Sequence, residues 1–257
     1  MLKKSAVFIF TLLVSTNAYA THPLVTDDTG TQGKGKFQIE INSEFASDSR
    51  DGGTEKEHSG EAAAALSWGI ADNIDLVTAL PEKWLSIKSN GITSQDASGI
   101  GDMTIEMKWR FFDDETTGLS FALKPGITIP TGNAQKGLGS DLFQESLLLI
   151  ATRAARLGAV HCNLGYSRIE KGDDNARNHI WHASIGTEIN VTGDLRAVLN
   201  SGIETNEAKA SKKHPAFLLG GVICAVAESL DLDFGLKYGL NEAETDTAFL
   251  AGLAARF

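Results

Sequence analysis

Residues 102–111 read Asp-Met-Thr-Ile-Glu-Met-Lys-Trp-Arg-Phe. Met103, Ile105, Met107, Trp109 and Phe111 alternate with Asp102, Thr104, Glu106, Lys108 and Arg110. A period of two sends successive side chains to opposite faces of a strand. This strand therefore has one wholly apolar face and one face of charges. The pattern recurs along the chain. Phe37, Ile39, Ile41 and Phe45 interleave with Gln38, Glu40, Asn42 and Glu44, and Leu230, Leu232, Phe234, Leu236 and Tyr238 interleave with Asp231, Asp233 and Lys237. The chain closes on Phe249, Ala251, Leu253, Ala255 and Phe257 at alternate positions. No long helical period competes.

The alternation predicts an all-β chain of about twelve strands, over 36–45, 59–70, 74–84, 99–111, 118–129, 142–153, 157–169, 179–190, 195–205, 215–227, 230–240 and 246–257. The connections alternate in length. Those at 71–73, 112–117, 154–156, 191–194 and 228–229 are short. Those at 46–58, 85–98, 130–141, 170–178, 206–214 and 241–245 are mostly longer and rich in Gly, Asp, Asn, Ser and Lys. Short turns at one end and long loops at the other are the mark of a closed antiparallel transmembrane β-barrel. In lipid every backbone polar group must be paired within the protein, so strands cross a bilayer only as a closed ring. Polar side chains then face the lumen and apolar ones face lipid. A barrel of ten strands with an N-terminal extension is the structural alternative.

Two further features point to a membrane. Trp68 and Trp109 fall beside short turns, and Trp84 and Trp181 fall beside long loops, all four on the apolar face. Indole rings favour the membrane–water boundary, so these four are the expected aromatic girdle. Lys3 and Lys4 precede an apolar run from Ala6 to Ser15, and Ala18-Tyr19-Ala20 is a small-x-small cleavage site. The run is too short to span as a helix and reads as a Sec-type signal peptide over 1–20. The mature chain is then expected to divide into an N-terminal segment, 21–35, and a barrel, 36–257, in the outer membrane. Its lipids are the expected surroundings.

The formal charge of −10 would become −12 without Lys3 and Lys4 (side chains only). An acidic chain without a basic stripe repels phosphates, so nucleic acid is not an expected partner. Cys162 and Cys224 both lie in apolar strand-like runs, and the sequence leaves open whether they pair. Pro81 and Pro125 fall inside strands, where each removes a ladder hydrogen bond, so bulges or breaks are expected there.

Three stretches carry a resemblance. Thr26 to Lys36 reads Thr-Asp-Asp-Thr-Gly-Thr-Gln-Gly-Lys-Gly-Lys. Gly99-Ile100-Gly101-Asp102 leads to Lys108 and Arg110. Ile127 to Gly132 reads Ile-Thr-Ile-Pro-Thr-Gly. In this order, through most of the mature chain, they resemble the MetA-pathway-of-phenol-degradation family of outer-membrane transporters. The terminal Phe257 resembles the aromatic signal read by barrel-assembly machinery. The resemblance implies a channel for passive uptake of small apolar or aromatic compounds, and it carries over no catalytic residue. One barrel type hosts many functions, so a structural or surface-interaction barrel with a blocked lumen is the alternative.

Candidate site residues follow from the inward parity. Glu40, Asp102, Glu106, Lys108 and Arg110 face the lumen, and Lys124 on the next strand is placed to pair with them. Such a row reads either as bracing of a narrow lumen or as a selectivity lining. His161, Asn163 and Ser167 share one face, but six residues of strand put Ser167 roughly 20 Å from His161, too far for a nucleophile and its base. An outer-membrane lipase is thus the remotest reading, and no enzyme is expected. His179 and His182 project to opposite faces, so no shared metal is expected, and no cofactor either. Asp27, Asp28, Asp173 and Asp174 read as solvated loop charge.

Two stretches are apolar on both faces, Leu147 to Ile150 and Ala216 to Ala227. Whatever the parity, Leu147 and Leu149 or else Leu148 and Ile150 must line the lumen. The segment 21–35 cannot continue the alternation that begins at Phe37. Its 15 residues reach about 50 Å when extended, past the membrane midplane. It is expected either to enter the lumen from the end bearing the termini, as a plug held by polar wall groups, or to hang as a tail.

Overall fold

The computed structural model describes residues 22–50, 53–170 and 174–257, with the Arg50 side chain outside the description. The stretch 1–20, read as an export signal, lies outside these residues. Among the described residues thirteen strands are present: β1 (Phe37–Arg50), β2 (Glu55–Ala71), β3 (Ile74–Ser89), β4 (Ile92–Ile100), β5 (Met103–Asp114), β6 (Leu119–Ile129), β7 (Gln144–Ala155), β8 (Gly158–Ile169), β9 (His179–Asn190), β10 (Leu195–Glu204), β11 (Ala216–Ala227), β12 (Leu230–Gly239) and β13 (Thr247–Arg256). All except β4 join one antiparallel ring, in which β3 pairs with β5 and β1 closes on β13. The closing seam runs from Gln38 opposite Arg256 to Ser47 opposite Thr247. Phe37 and Phe257 finish it by exchanging backbone hydrogen bonds of 3.1 and 2.9 Å. A closed ring has no free edge, which makes it stable in lipid.

The two faces sort as the alternation requires. Ile41, Trp109, Ile185, Leu236 and Phe249 are exposed on the outside. Gln38, Asp75, His161, Glu188, Asn200 and Asp231 are buried on the inside. Within the doubly apolar stretches, Leu147, Leu149 and Leu218 face out, whereas Ile150, Phe217 and Leu219 face in and are buried. Phe217 and Leu219 pack with Ala248 and Leu250 into an apolar cluster on the inner wall.

Two expected loops prove to be largely strand. Residues 46–58 continue the β1–β2 ladder as far as Arg50 opposite Glu55. Residues 85–98 continue β3 to Ser89 and, after a turn, form β4. Asn90 (φ 52°) and Gly91 (φ 80°) form that turn in the left-handed region, which matches the twist of a two-residue hairpin. β1, β2 and β3 contain 14, 17 and 16 residues. A tilted strand needs only ~9–11 to cross a bilayer, so the surplus stands beyond it.

The expected strand 99–111 is interrupted. β3 changes partner at Pro81: Ile74 to Ala79 pair with β5, and Glu82 to Ser89 pair with β4. The Pro81 carbonyl accepts a hydrogen bond from Gly101 at 2.8 Å across the break. The β5–β6 ladder likewise has no pairing between Glu106–Gly126 and Trp109–Leu123, beside Pro125. Cys162 on β8 and Cys224 on β11 are free thiols, separated by two intervening strands.

Candidate functional site

The alternation of β5 and β6 sends Glu106, Lys108 and Lys124 into the lumen. Lys124 Nζ lies 2.8 Å from the Glu106 carboxylate, so the expected pairing across these strands exists. Arg110 stands nearer the end bearing the termini, where it pairs with Asp113 at 3.3 Å. Asp102 does not join the row. It sits in the break between β4 and β5, where its carboxylate accepts hydrogen bonds from the Gly132 and Ser140 amides at 2.9 and 2.8 Å. It therefore anchors the loop before β7.

The partner that organises the row comes from outside the barrel strands. His22 to Gly35 runs inside the ring. Asp27, read from sequence as solvated charge, lies between Lys108 Nζ at 2.8 Å and Lys124 Nζ at 3.1 Å, and Asp28 lies 3.8 Å from Lys108. The segment starts from the foot of β2, where the Gly35 amide donates to the Gly69 carbonyl at 2.7 Å. The Gln32 amide then donates to the Asp75 carboxylate at 2.9 Å. Thr29 donates its amide to Thr152 Oγ1 at 3.1 Å and pairs its hydroxyl with Ser120 at 2.5 Å.

Beyond Asp27 the segment crosses to the far wall. Turned so that its oxygen faces the Asp27 amide, the Asn163 side chain spans the Asp27 backbone, accepting at 2.8 Å and donating at 2.9 Å. Asn200 Oδ1 accepts from the Val25 and Thr26 amides at 2.7 and 3.1 Å, and its Nδ2 donates to Thr26 Oγ1 at 2.6 Å. Leu24 packs against Val198 and Ile223. His22 meets Asp233. Buried backbone amides need partners, and the wall supplies them along the segment.

Of the inward residues named from sequence, Lys108 and Lys124 bond to this segment, through side chains rather than backbone; among the described residues no bond joins it to Glu40, Glu106 or Arg110. Asp75, Thr152, Asn163 and Asn200 were missed. Nothing in their local sequence separates them from other inward polar residues.

The segment leaves part of the cross-section open. A cavity of about 270 Å³ lies between it and the wall of β1 to β3. Glu40, Gln38, Asn42 and Asp75 line the wall side, and Asp27, Asp28 and Gln32 line the segment side, with Lys108 and Lys124 closing one flank. Glu40 is thus a cavity residue and not a partner of the charged row.

The four tryptophans stand on the outer face. Trp68 stacks with Phe37 at 6.0 Å near the end bearing the termini. Trp84 meets Phe45 at 5.3 Å, and Trp181 meets Tyr166 at 4.8 Å, both toward the opposite end. His161 is buried inside the lumen, with Nδ1 3.0 Å from Thr152 Oγ1 and Nε2 3.5 Å from Glu188. Both of its ring nitrogens face wall groups other than Ser167.

Similar proteins fit this geometry. The COG4313 outer membrane channel from Pseudomonas putida F1 superposes with a TM-score of 0.72 at 14% identity, over 90% of this chain and 98% of that one. The NanC porin gives 0.58 at 9% identity, over 84% and 98%. The translocator domain of the autotransporter NalP from Neisseria meningitidis gives 0.51 at 12% identity, over 89% and 91%. At these identities the likeness is one of fold, and proteins of different function share it. A comparison with curated protein sequences finds no match. The sequence profile described as MetA-pathway of phenol degradation matches residues 21–257, the whole barrel and its lumen segment. The chain therefore belongs to the MetA-pathway of phenol degradation family.

Proposed function

We propose that the protein is an outer-membrane channel for passive uptake of small apolar or aromatic compounds, with His22 to Gly35 as its plug. The observation that carries this reading is the composition of the partly occupied lumen. A buried apolar cluster, Phe217, Leu219, Ala248 and Leu250, lies on the inner wall of β11 and β13, and Leu24 of the plug packs on Val198 and Ile223. Apolar side chains on the inner wall lose free energy in a water-filled pore. They suit a path that apolar solutes share once the plug shifts. The cavity of about 270 Å³ beside the segment is lined mainly by charged and amide groups, so it supports the size of the passage while its apolar character rests on the cluster. The family's description, which names phenol degradation, agrees with this solute class. On this reading Glu106, Lys108 and Lys124 position the plug, Glu40 lines the passage, and Phe257 serves the assembly machinery. The export signal is removed before Thr21.

The test is permeation into liposomes carrying the full mature chain, with phenol-sized aromatics, aliphatic alcohols and sugars compared at matched size. Aromatics and apolar solutes should enter faster than sugars. Permeation that scales with size alone would refute selectivity.

The anchoring of the segment favours a second reading, a structural barrel with a permanently blocked lumen. Asp27 is held by two lysines and Thr26 by two hydrogen bonds to the Asn200 side chain. Absence of conductance and of solute entry, even after removal of the segment, would support it.

A further inference from the structure

Outside the lumen, the lipid-facing surface of β12, β13, β1, β2 and β3 carries a feature that solute passage does not use. Trp84, Gly60, Phe45, Phe249 and Leu236 stand in one row across these strands. Gly60 has no side chain, and the Trp84 ring lies over it. The next row toward the loop end is polar, Ser86, His58, Ser47 and Thr247, flanked by Asp96 of β4 and Tyr238 of β12. Large rings below and smaller polar groups above leave a groove of about 390 Å³. One row further out, Lys56 of β2 sits directly opposite Lys88 of β3. Both are exposed. Opposed residues on one face of an antiparallel pair have Cβ atoms about 5 Å apart, and like charges there are destabilising.

Among the described residues neither lysine has a carboxylate within ion-pair reach. Asp96 of β4 stands opposite Ser86 on the same face, one row below Lys88, and Asp246 is engaged with the Ser49 amide at 3.0 Å. The two ammonium groups thus face each other without an ion pair among the described residues, at the rim where the bilayer surface begins. Rows are two residues apart, about 7 Å along a strand. The lysines therefore stand about 14 Å along the strands from the aromatic row, on its loop side.

We propose that this face binds lipid A, the phosphorylated acyl glycolipid of the outer leaflet. A phosphate sits between Lys56 and Lys88, with His58 as a further donor, and an acyl chain lies in the groove against Phe45, Phe249 and Leu236. The charge complementarity selects an anion, and the groove selects one that carries a hydrocarbon tail. The loop end faces away from the termini, so the leaflet it meets is the outer one. This inference rests on the outer-membrane reading but not on any solute passing the lumen.

The experiment is native mass spectrometry of the detergent-purified full mature chain titrated with lipid A, phosphatidylglycerol or phosphatidylcholine. Lipid A should be retained in preference to both phospholipids. The K56E/K88E double substitution should lower its retention at least about tenfold, and S47W, which fills the groove, should do the same. The K56Q/K88Q pair provides a milder variant, and heat-modifiable migration on gels confirms that each barrel is folded. Unchanged lipid A retention in the folded lysine variants would overturn the proposal. So would equal retention of phosphatidylglycerol. Failure of the localisation itself would appear separately, as absence of the protein from the outer-membrane fraction.

Discussion

Asp27 shows what one residue contributes to a lumen. Its carboxylate joins Lys108 and Lys124, which Coulomb repulsion would otherwise set against each other. Replacing it by Asn removes the carboxylate shared by both lysines, leaving Lys124 with Glu106 and Lys108 with Asp28, at a cost on the order of 1–3 kcal/mol to the docked segment. A shift of one to two kcal/mol changes a two-state population by roughly 5–30-fold. Conductance of D27N in planar bilayers should therefore rise at least about fivefold over wild type. An unchanged trace from a folded barrel would remove Asp27 from the holding role. Gly69 tests the other end of the segment. A Cβ there would collide with the Gly33 carbonyl. G69V should therefore lift the foot of the segment and speed tryptic cleavage after Lys34 and Lys36, whereas equal cleavage rates would contradict the contact. The inward parity of Lys108 and Lys124 was legible because strand alternation fixes it. Their partner was not, since an Asp-Asp pair among glycines has the composition of any exposed turn.

Elements were legible where the environment is asymmetric. A strand between lipid and lumen must alternate, and each of the ring's twelve strands overlaps its expected span. Above the bilayer both faces meet water, so the alternation vanishes, and residues 85–98 were taken for a loop. The informative signal there was the Asn90-Gly91 pair, whose backbone suits a tight hairpin turn. It was outweighed by the polar composition around it. The β3–β4 hairpin should accordingly depend on Gly91. At φ 80° a β-branched side chain is strained by about 1–3 kcal/mol. G91V should open proteolytic sites within 85–98 while the heat-modifiable shift of the barrel stays as in wild type. Protection equal to wild type would show that strand pairing alone holds the hairpin. Pro81 explains the extra strand: without an amide to donate, it marks the place where β3 exchanges β5 for β4 as neighbour.

At the scale of the whole molecule, the ring could be read from turn lengths and girdle positions, because lipid imposes closure on any strand protein that enters it. The path of the lumen segment could not, because its contacts join residues far apart in sequence. Removing residues 22–33 should raise single-channel conductance while leaving the barrel heat-modifiable. If the folded deletion protein conducts and selects like wild type, the segment is no plug. The same long-range contacts impose an order of events. His22 meets a residue 211 positions later, and Val25 one that is 175 later. Those partners stand on β12 and β10, which occupy their places only as the last strands join. The first described residues are thus the last to find their seat. In refolding from urea, resistance of the barrel to heat should appear before Lys34 gains protection from trypsin. A lumen that stays unobstructed until its wall is complete gives the chain a built-in report that assembly has finished.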